Sequence, residues 1–296
     1  MSEPHREILP GPWVNPRNRE AEPWRTATGI VKFIEFVVRI PEMTHRDFHL
    51  YWQKHHSPHV LNVTPFAQFM RKYNTTHRFP DATGGIPARY RQDHAFEGTA
   101  EVWLNSAAEV GDWLGHPLYA ALIQPDEPRF IAQDGQTALI VTKEEPVLEA
   151  DPDLDENDLV KVHLILGRAP GVERDMFHAS ASRTAKAMAA DPALARHLLK
   201  FVVAHRLPDP NPVEGLAPVP IDVVLELWFA DRAALRAFFA EASLSCLGDW
   251  EEAFVDRASA RAIAAKVKVV HDEFSFQRSV TQPFAFSWDE PGDAGR

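Results

Sequence analysis

One order of hydrophobic stretches occurs twice in this chain. VKFIEFVVRIP (31–41) reads as a strand, rich in β-branched and aromatic residues and stopped by proline. MTHRDFHLYWQKHH follows as a helix with Thr44 as its N-cap. FAQFMRKYNTTHRF (66–79) and FEGTAEVWLN (96–105) read as strands on either side of a loop containing DATGGIPARYRQDH. SAAEVGDWLGHPLYAALIQ is a helix opened by Ser106, and QTALIVTKEEPV is a fourth strand. Beyond the acidic segment LEADPDLDEND (148–158), the stretches beginning at LVKVHLILGR and ending at AKVKVVHDEF run through the same order. Val31-Lys32 corresponds to Val160-Lys161, Arg39 to Arg168, Glu101-Val102-Trp103 to Glu226-Leu227-Trp228, and Lys143-Glu144-Glu145 to His271-Asp272-Glu273. A spacing of about 125–129 residues is far longer than a solenoid unit and implies tandem domains.

The order β-α-β-β-α-β is the ferredoxin-like pattern, so the expected class is α+β. Such a unit covers one sheet face with two helices and leaves the other bare. Two units in one chain would pack sheet to sheet as an intramolecular α+β barrel, with a pocket between the sheets. The expected organisation is an N-terminal arm (1–29), a first domain (30–147), a linker (148–158), a second domain (159–276) and a C-terminal tail (277–296).

Composition narrows the partners. The net charge is −11 and no lysine/arginine run occurs, which argues against nucleic acid. The single cysteine, Cys246, cannot form an internal disulfide and reads as a small buried hydrophobe in a reducing compartment. The first residues lack the apolar run of a signal peptide, and no apolar window approaches the ~18–20 residues that span a bilayer. A cytoplasmic protein with no membrane partner is expected. No GxGxxG, GxxxxGK[ST] or GxSxG element is present, so no nucleotide cofactor and no serine nucleophile is expected.

Arg39 and Pro41, then Phe48-x-x-Tyr51-Trp52-x-x-x-His56-Ser57-Pro58, resemble the EthD-like branch of the dimeric α+β barrel superfamily. Phe96-Glu97-Gly98-Thr99-Ala100-Glu101-Val102-Trp103 resembles that family's third strand, and Asp126-Glu127-Pro128-Arg129-Phe130 with Glu144-Glu145 its later acidic signatures. The second half shares only the pattern of elements and the Glu-x-Trp signature, so it is read as a degenerate copy. The resemblance implies a cofactor-independent lyase, dehydratase, decarboxylase or isomerase acting by general acid–base catalysis on a phenolic or polyketide-like aromatic molecule. A cofactor-free or haem-linked monooxygenase, and a non-catalytic binding protein for a hydrophobic metabolite, are the alternatives. A homodimer of tandem chains stays open.

At about 100° per residue, Phe48, Trp52, His55, His56 and His59 share roughly a third of a helix circumference. Pro58 is expected to end or bend the helix near His56-Ser57, where a C-terminal dipole and burial pull the imidazole pKa in opposite directions. His56 is therefore the expected proton carrier, with Glu35 and Tyr73 assisting. His45/His49 and His55/His59 have i,i+4 spacing, but no HExxH or CxxC occurs and no clear carboxylate joins them, so no metal is expected. On the first strand, the wholly apolar set Ile34, Phe36 and Val38 is expected to face the helices, leaving Glu35, beside Phe33, pointing into the barrel. Phe33, Tyr51, Trp52, His55, Phe69, Trp103 and Trp113 are the expected substrate-stacking residues. Arg89 and Arg91, on a loop read as a lid, would meet a carboxylate or phenolate.

Overall fold

The computed structural model describes residues 29–80, 85–90, 95–133, 137–151, 154–207 and 220–274. The runs of β-branched and aromatic residues form eight strands: β1 Val31–Val38, β2 Lys72–Arg78, β3 Phe96–Leu104, β4 Ala138–Leu148, β5 Val160–Leu166, β6 Lys200–Arg206, β7 Val223–Phe229 and β8 Arg261–Asp272. They close into one barrel in the order β1-β3-β2-β8-β5-β7-β6-β4, all neighbours antiparallel. Each half contributes four consecutive strands of the ring, and the halves join where Thr76 pairs with Val267 and Glu144 with Ala204. Closure leaves no sheet edge to be protected.

Helices lie outside the ring. In the first half these are α1 His45–Tyr51, α2 Ser57–Asn62, α3 Thr64–Ala67 and α4 Ala107–Leu114. In the second they are α5 Arg174–Ala190, α6 Pro192–Ala195, α7 Arg232–Ala240 and α8 Ser245–Phe254. Both anticipated caps form: Thr44 Oγ1 accepts from the Asp47 N–H at 3.1 Å, and Ser106 Oγ from the Glu109 N–H at 3.2 Å. The second strand begins at Lys72 rather than at residue 66, because Thr64–Ala67 makes a helical turn with Pro65 near its start. No helix among the described residues is long and apolar enough to cross a membrane.

The alternation of β1 is the reverse of the expectation. Ile34, Phe36 and Val38 pack with Ile165, Ala204, Val224 and Ile263 from the other half, which places them in the barrel interior. Phe33 and Val37 pack with Phe48 and Trp52 of the helical layer, and Glu35 shares their parity. A closed barrel excludes water from its lumen on every side, so the fully apolar set belongs there. The helix-facing layer contains a cavity and can hold a carboxyl group.

Toward one end, the lumen is charged. Lys32 Nζ donates to Glu144 at 2.7 Å and to Glu226 across the barrel, while Lys161 Nζ meets Glu101 at 2.6 Å and Glu226 at 2.9 Å. His163 Nε2 lies 2.6 Å from Glu101, and Trp103 Nε1 donates to Glu144 at 2.6 Å. Lysine of one half thus pairs with glutamate of the other in both directions. This is the structural content of the repeated Val-Lys and Glu-x-Trp pairs. Buried ion pairs recover their desolvation cost only with good geometry, and here they fix how the halves register.

Candidate active site

The histidine-rich helix changes its hydrogen-bond register in the middle. Pro58 has no N–H to donate, and the Ser57 N–H reaches back five residues to the Trp52 carbonyl, making a π-helical turn over Trp52–His56. The chain then continues as α2 to Asn62. His56 therefore lies within a helical run and not at a helix C-terminus, and no terminal dipole acts on it. The extra residue in the turn rotates His55 out to solvent and leaves His56 buried. His55 is thus removed from the substrate-facing set that even 100° spacing had suggested.

A cavity of about 460 Å³ lies between this helical layer and the outer face of the first half's strands. It does not lie between the two sheets, where it had been expected. Phe33, Val37 and Val102 form its floor; Trp52, Phe66, Trp113 and Ile123 form much of its wall. Phe66 stacks on Trp113 with centroids 5.0 Å apart and on Tyr119 at 5.6 Å. The titratable groups on this lining are Glu35, His56, Tyr73, Tyr119 and Glu127. Of the expected residues, His56, Glu35, Tyr73, Phe33, Trp52 and Trp113 come together here.

His56 Nδ1 lies 2.9 Å from Asp126 Oδ2, and the Tyr51 hydroxyl donates to Asp126 Oδ1 at 2.6 Å. The bond from His56, followed by that from Tyr51, holds the Asp126 carboxyl down at about 2. An ionised carboxylate only accepts, so Nδ1 carries the proton and Nε2 the lone pair. Burial lowers the His56 pKa, with the Asp126 hydrogen bond opposing it, so the ring is neutral at pH 7.

Glu35 and Glu127 have the opposite character. Burial, then the charge of Glu127, pushes Glu35 up to about 8. Burial pushes Glu127 to about 7, against a 2.9 Å hydrogen bond from the Tyr119 hydroxyl. The pair titrates as a unit and retains a proton near neutrality. Tyr73, 3.4 Å from the Ser57 hydroxyl, is pushed by burial to about 12 and stays a donor. One cavity thus holds a neutral imidazole base and a protonated carboxyl acid, the pairing that acid–base catalysis requires.

Several expected residues lie elsewhere. Trp103 is in the barrel lumen, on the parity of Glu101. Phe69 packs at the margin of the core near His116 and is absent from the cavity lining. Tyr51 acts behind the wall, through Asp126. Arg89 reaches the other half, donating to Glu251 at 2.7 Å beside Tyr90, so this part of the presumed lid is docked on α8. Arg91 lies outside the described residues. Glu127 and Tyr119 had not been singled out for chemistry. The Asp126-Glu127-Pro128-Arg129-Phe130 motif was the available signal, since Phe130 packs against His56 with centroids 4.7 Å apart and so fixes the acidic pair beside the ring.

A haem does not fit this lining. Among the described residues no arginine or lysine faces the cavity to pair with propionates, and two carboxyl groups do. Two sets of donor atoms elsewhere lie within 4.8 Å of one another: His45, His49 and Glu97, and the lumen triad Glu101, His163 and Glu226. A more open cleft of about 590 Å³ lies where β4 of the first half meets the second half, lined mainly by ionisable residues, among them Glu145, Arg168, Arg174, His178 and His205.

Residues 40–134 match the EthD domain family. No curated protein matches the sequence. Among solved structures, an anthrone oxidase-like protein superposes with a TM-score of 0.52 at 10% identity, covering 83% of this chain and 95% of its own. A candidate monooxygenase of Fusobacterium nucleatum superposes with a TM-score of 0.50 at 9% identity, covering 81% of this chain and 93% of its own. At such identities the likeness is one of fold.

Proposed function

We propose that the cavity is the active site of a cofactor-independent lyase or isomerase that moves a proton on a phenolic or polyketide-like aromatic molecule. One observation carries this reading: the Asp126-oriented His56 and the proton-holding Glu35/Glu127 pair line one aromatic cavity. His56 Nε2 would remove a proton from a carbon acidified by an adjacent carbonyl or aryl group. The Glu35/Glu127 carboxyl would return a proton to the oxygen that accumulates charge or departs as water. Tyr73 is a second donor, and the Trp113 indole N–H, without a partner among the described residues, is a third. The volume falls within the ~300–1,000 Å³ usual for small-molecule sites. A positioned base of this kind contributes about 10²–10⁴-fold, enough for substrates whose own ring stabilises the anion.

This reading includes a domain organisation: two ferredoxin-like units, 30–147 and 159–276, joined by 148–158, with the first unit catalytic. The test is hydrogen exchange on anthrone, an enolisable aromatic ketone, followed by NMR in D₂O without oxygen. Enzyme-dependent exchange that disappears in His56→Ala supports the proposal. Binding without exchange, unaffected by that substitution, would make the cavity a carrier site. Oxygen uptake on admitting air would assign cofactor-free oxygenation of the same anion.

A further inference from the structure

A second polar cluster lies outside the cavity, and the chain builds it twice. In the first half Arg39, His45, His49, His77, Arg78 and Glu97 meet where α1 crosses β2 and β3. In the second half the same positions are Arg168, Arg174, His178, His205, Arg206 and Asp222. Arg39 and Arg168 each make a single bridge, to Ile131 and Val255, just before the equivalent helices, which begin at His45 and Arg174. His49 faces His77 with ring centroids 5.0 Å apart, and His178 faces His205 at 4.9 Å. The main difference is at one position: His45 stands where the other half has Arg174.

We propose that His45, His49 and Glu97 form a binding site for a divalent transition-metal ion with the preferences of zinc. His45 Nδ1 is 2.8 Å and His49 Nε2 3.8 Å from the same oxygen, Glu97 Oε2. Two imidazoles at i,i+4 on a helix plus a carboxylate from a neighbouring strand is a three-ligand set that such ions accept, with water completing it. The spacing was visible in the sequence. The carboxylate was not, because Glu97 comes from a strand 52 residues beyond His45.

The outer contacts suit metal binding. His49 Nδ1 lies 2.8 Å from His77 Nδ1, and His77 Nε2 lies 3.0 Å from Thr75 Oγ1. For His49 to offer Nε2 as a lone pair, its Nδ1–H must donate to His77, whose Nε2–H then donates to Thr75. The contacts at both positions have the distances this relay requires. Such a relay orients a ligating histidine. Arg39 Nε holds Glu97 Oε1 at 3.0 Å, and Oε2 is turned to the imidazoles with the Arg78 guanidinium donating to it at 3.4 Å.

The two arginines beside Glu97 raise the question of charge. The second half answers it: Arg174 Nε lies 3.9 Å from Asp222 in a cluster that also contains Arg168 and Arg206, so a further cation is accommodated at this place. Where that half carries a fixed guanidinium, the first half carries imidazoles that can hold an exchangeable cation. His45 and Arg39, 21% and 27% exposed, leave a path from solvent.

The experiment is titration of the chelator-treated full chain with Zn²⁺ by calorimetry, with Co²⁺ as a spectroscopic probe. One equivalent should bind, with affinity reduced at least about ten-fold in Glu97→Gln and in His45→Arg, which copies the second half. His59→Ala should bind as the wild type does, and Co²⁺ should give the intense visible bands of a four- or five-coordinate ion. The proposal is overturned if the folded protein binds no Zn²⁺. It is equally overturned if His45→Arg, folded by circular dichroism, binds it undiminished, or if Co²⁺ shows only the weak spectrum of the aqua ion.

Discussion

His56 and Asp126 are 70 positions apart in the chain and 2.9 Å apart in space, joined by a hydrogen bond whose direction is set by the ionised carboxylate. That bond orients the ring and partly offsets the burial that lowers its pKa. Asp126→Asn should therefore move the His56 titration further down, read from imidazole resonances by NMR. Turnover should fall about 10–100-fold, and His56→Ala should lose about 10²–10⁴-fold. An unchanged His56 titration in Asp126→Asn would show that the carboxylate does not govern the ring.

Glu35 links pH to stability. Its folded pKa is raised from 4.5 to about 8, so the folded state holds a proton that the unfolded state releases between those values. Stability from this group is complete below pH 4.5 and is lost as pH rises toward 8. Glu35→Gln, neutral in both states, should flatten that decline and be relatively more stable at pH 8 than at pH 5. Denaturant midpoints across this range test it; parallel curves for the two proteins would refute the shift.

The π-helical turn should be separable from stability. Pro58→Ala restores an N–H and lets the turn relax toward regular α-helix, re-aiming His56. Activity should drop roughly 10–100-fold, since ångström-scale misplacement of a catalytic group is costly. The melting temperature should stay the same or rise. A fully active variant would mean that the turn does not aim the ring.

Lys161 tests the lumen network. Its Nζ lies against Glu101 and Glu226 with no exposed side-chain surface on any of the three. Lys161→Met should cost roughly 3–5 kcal/mol in urea unfolding by leaving the buried Glu101 with only His163 and Glu226 with only Lys32 as basic partners. The His56 titration should not move, because the network faces away from the cavity.

Much of the barrel was legible because closure needs matched residues in both halves: Lys32 with Lys161 and Glu101 with Glu226 recur in the sequence as they recur in space. Thr44 and Ser106 were legible because a cap is a local device. Glu35 was assigned to the wrong side because a strand between a sealed lumen and a helical layer is buried on both faces. Hydrophobicity then does not tell inside from outside. His55 failed because one proline shifts a helix register that periodicity assumes constant. The contacts of Glu97 depend on long-range folding and leave no local pattern, and the motif around Glu127 does not by itself place that carboxyl in one cavity with Glu35.

The barrel is sealed by strand pairing between two stretches of one polypeptide, at β2 with β8 and at β4 with β6. A ring assembled from two identical chains would have to carry every useful and every harmful substitution twice. Covalent fusion lifts that obligation. One half keeps an aromatic chamber lined with titratable groups while the other supplies wall, charge partners and most of a differently lined cleft, so the molecule can specialise within its own symmetry.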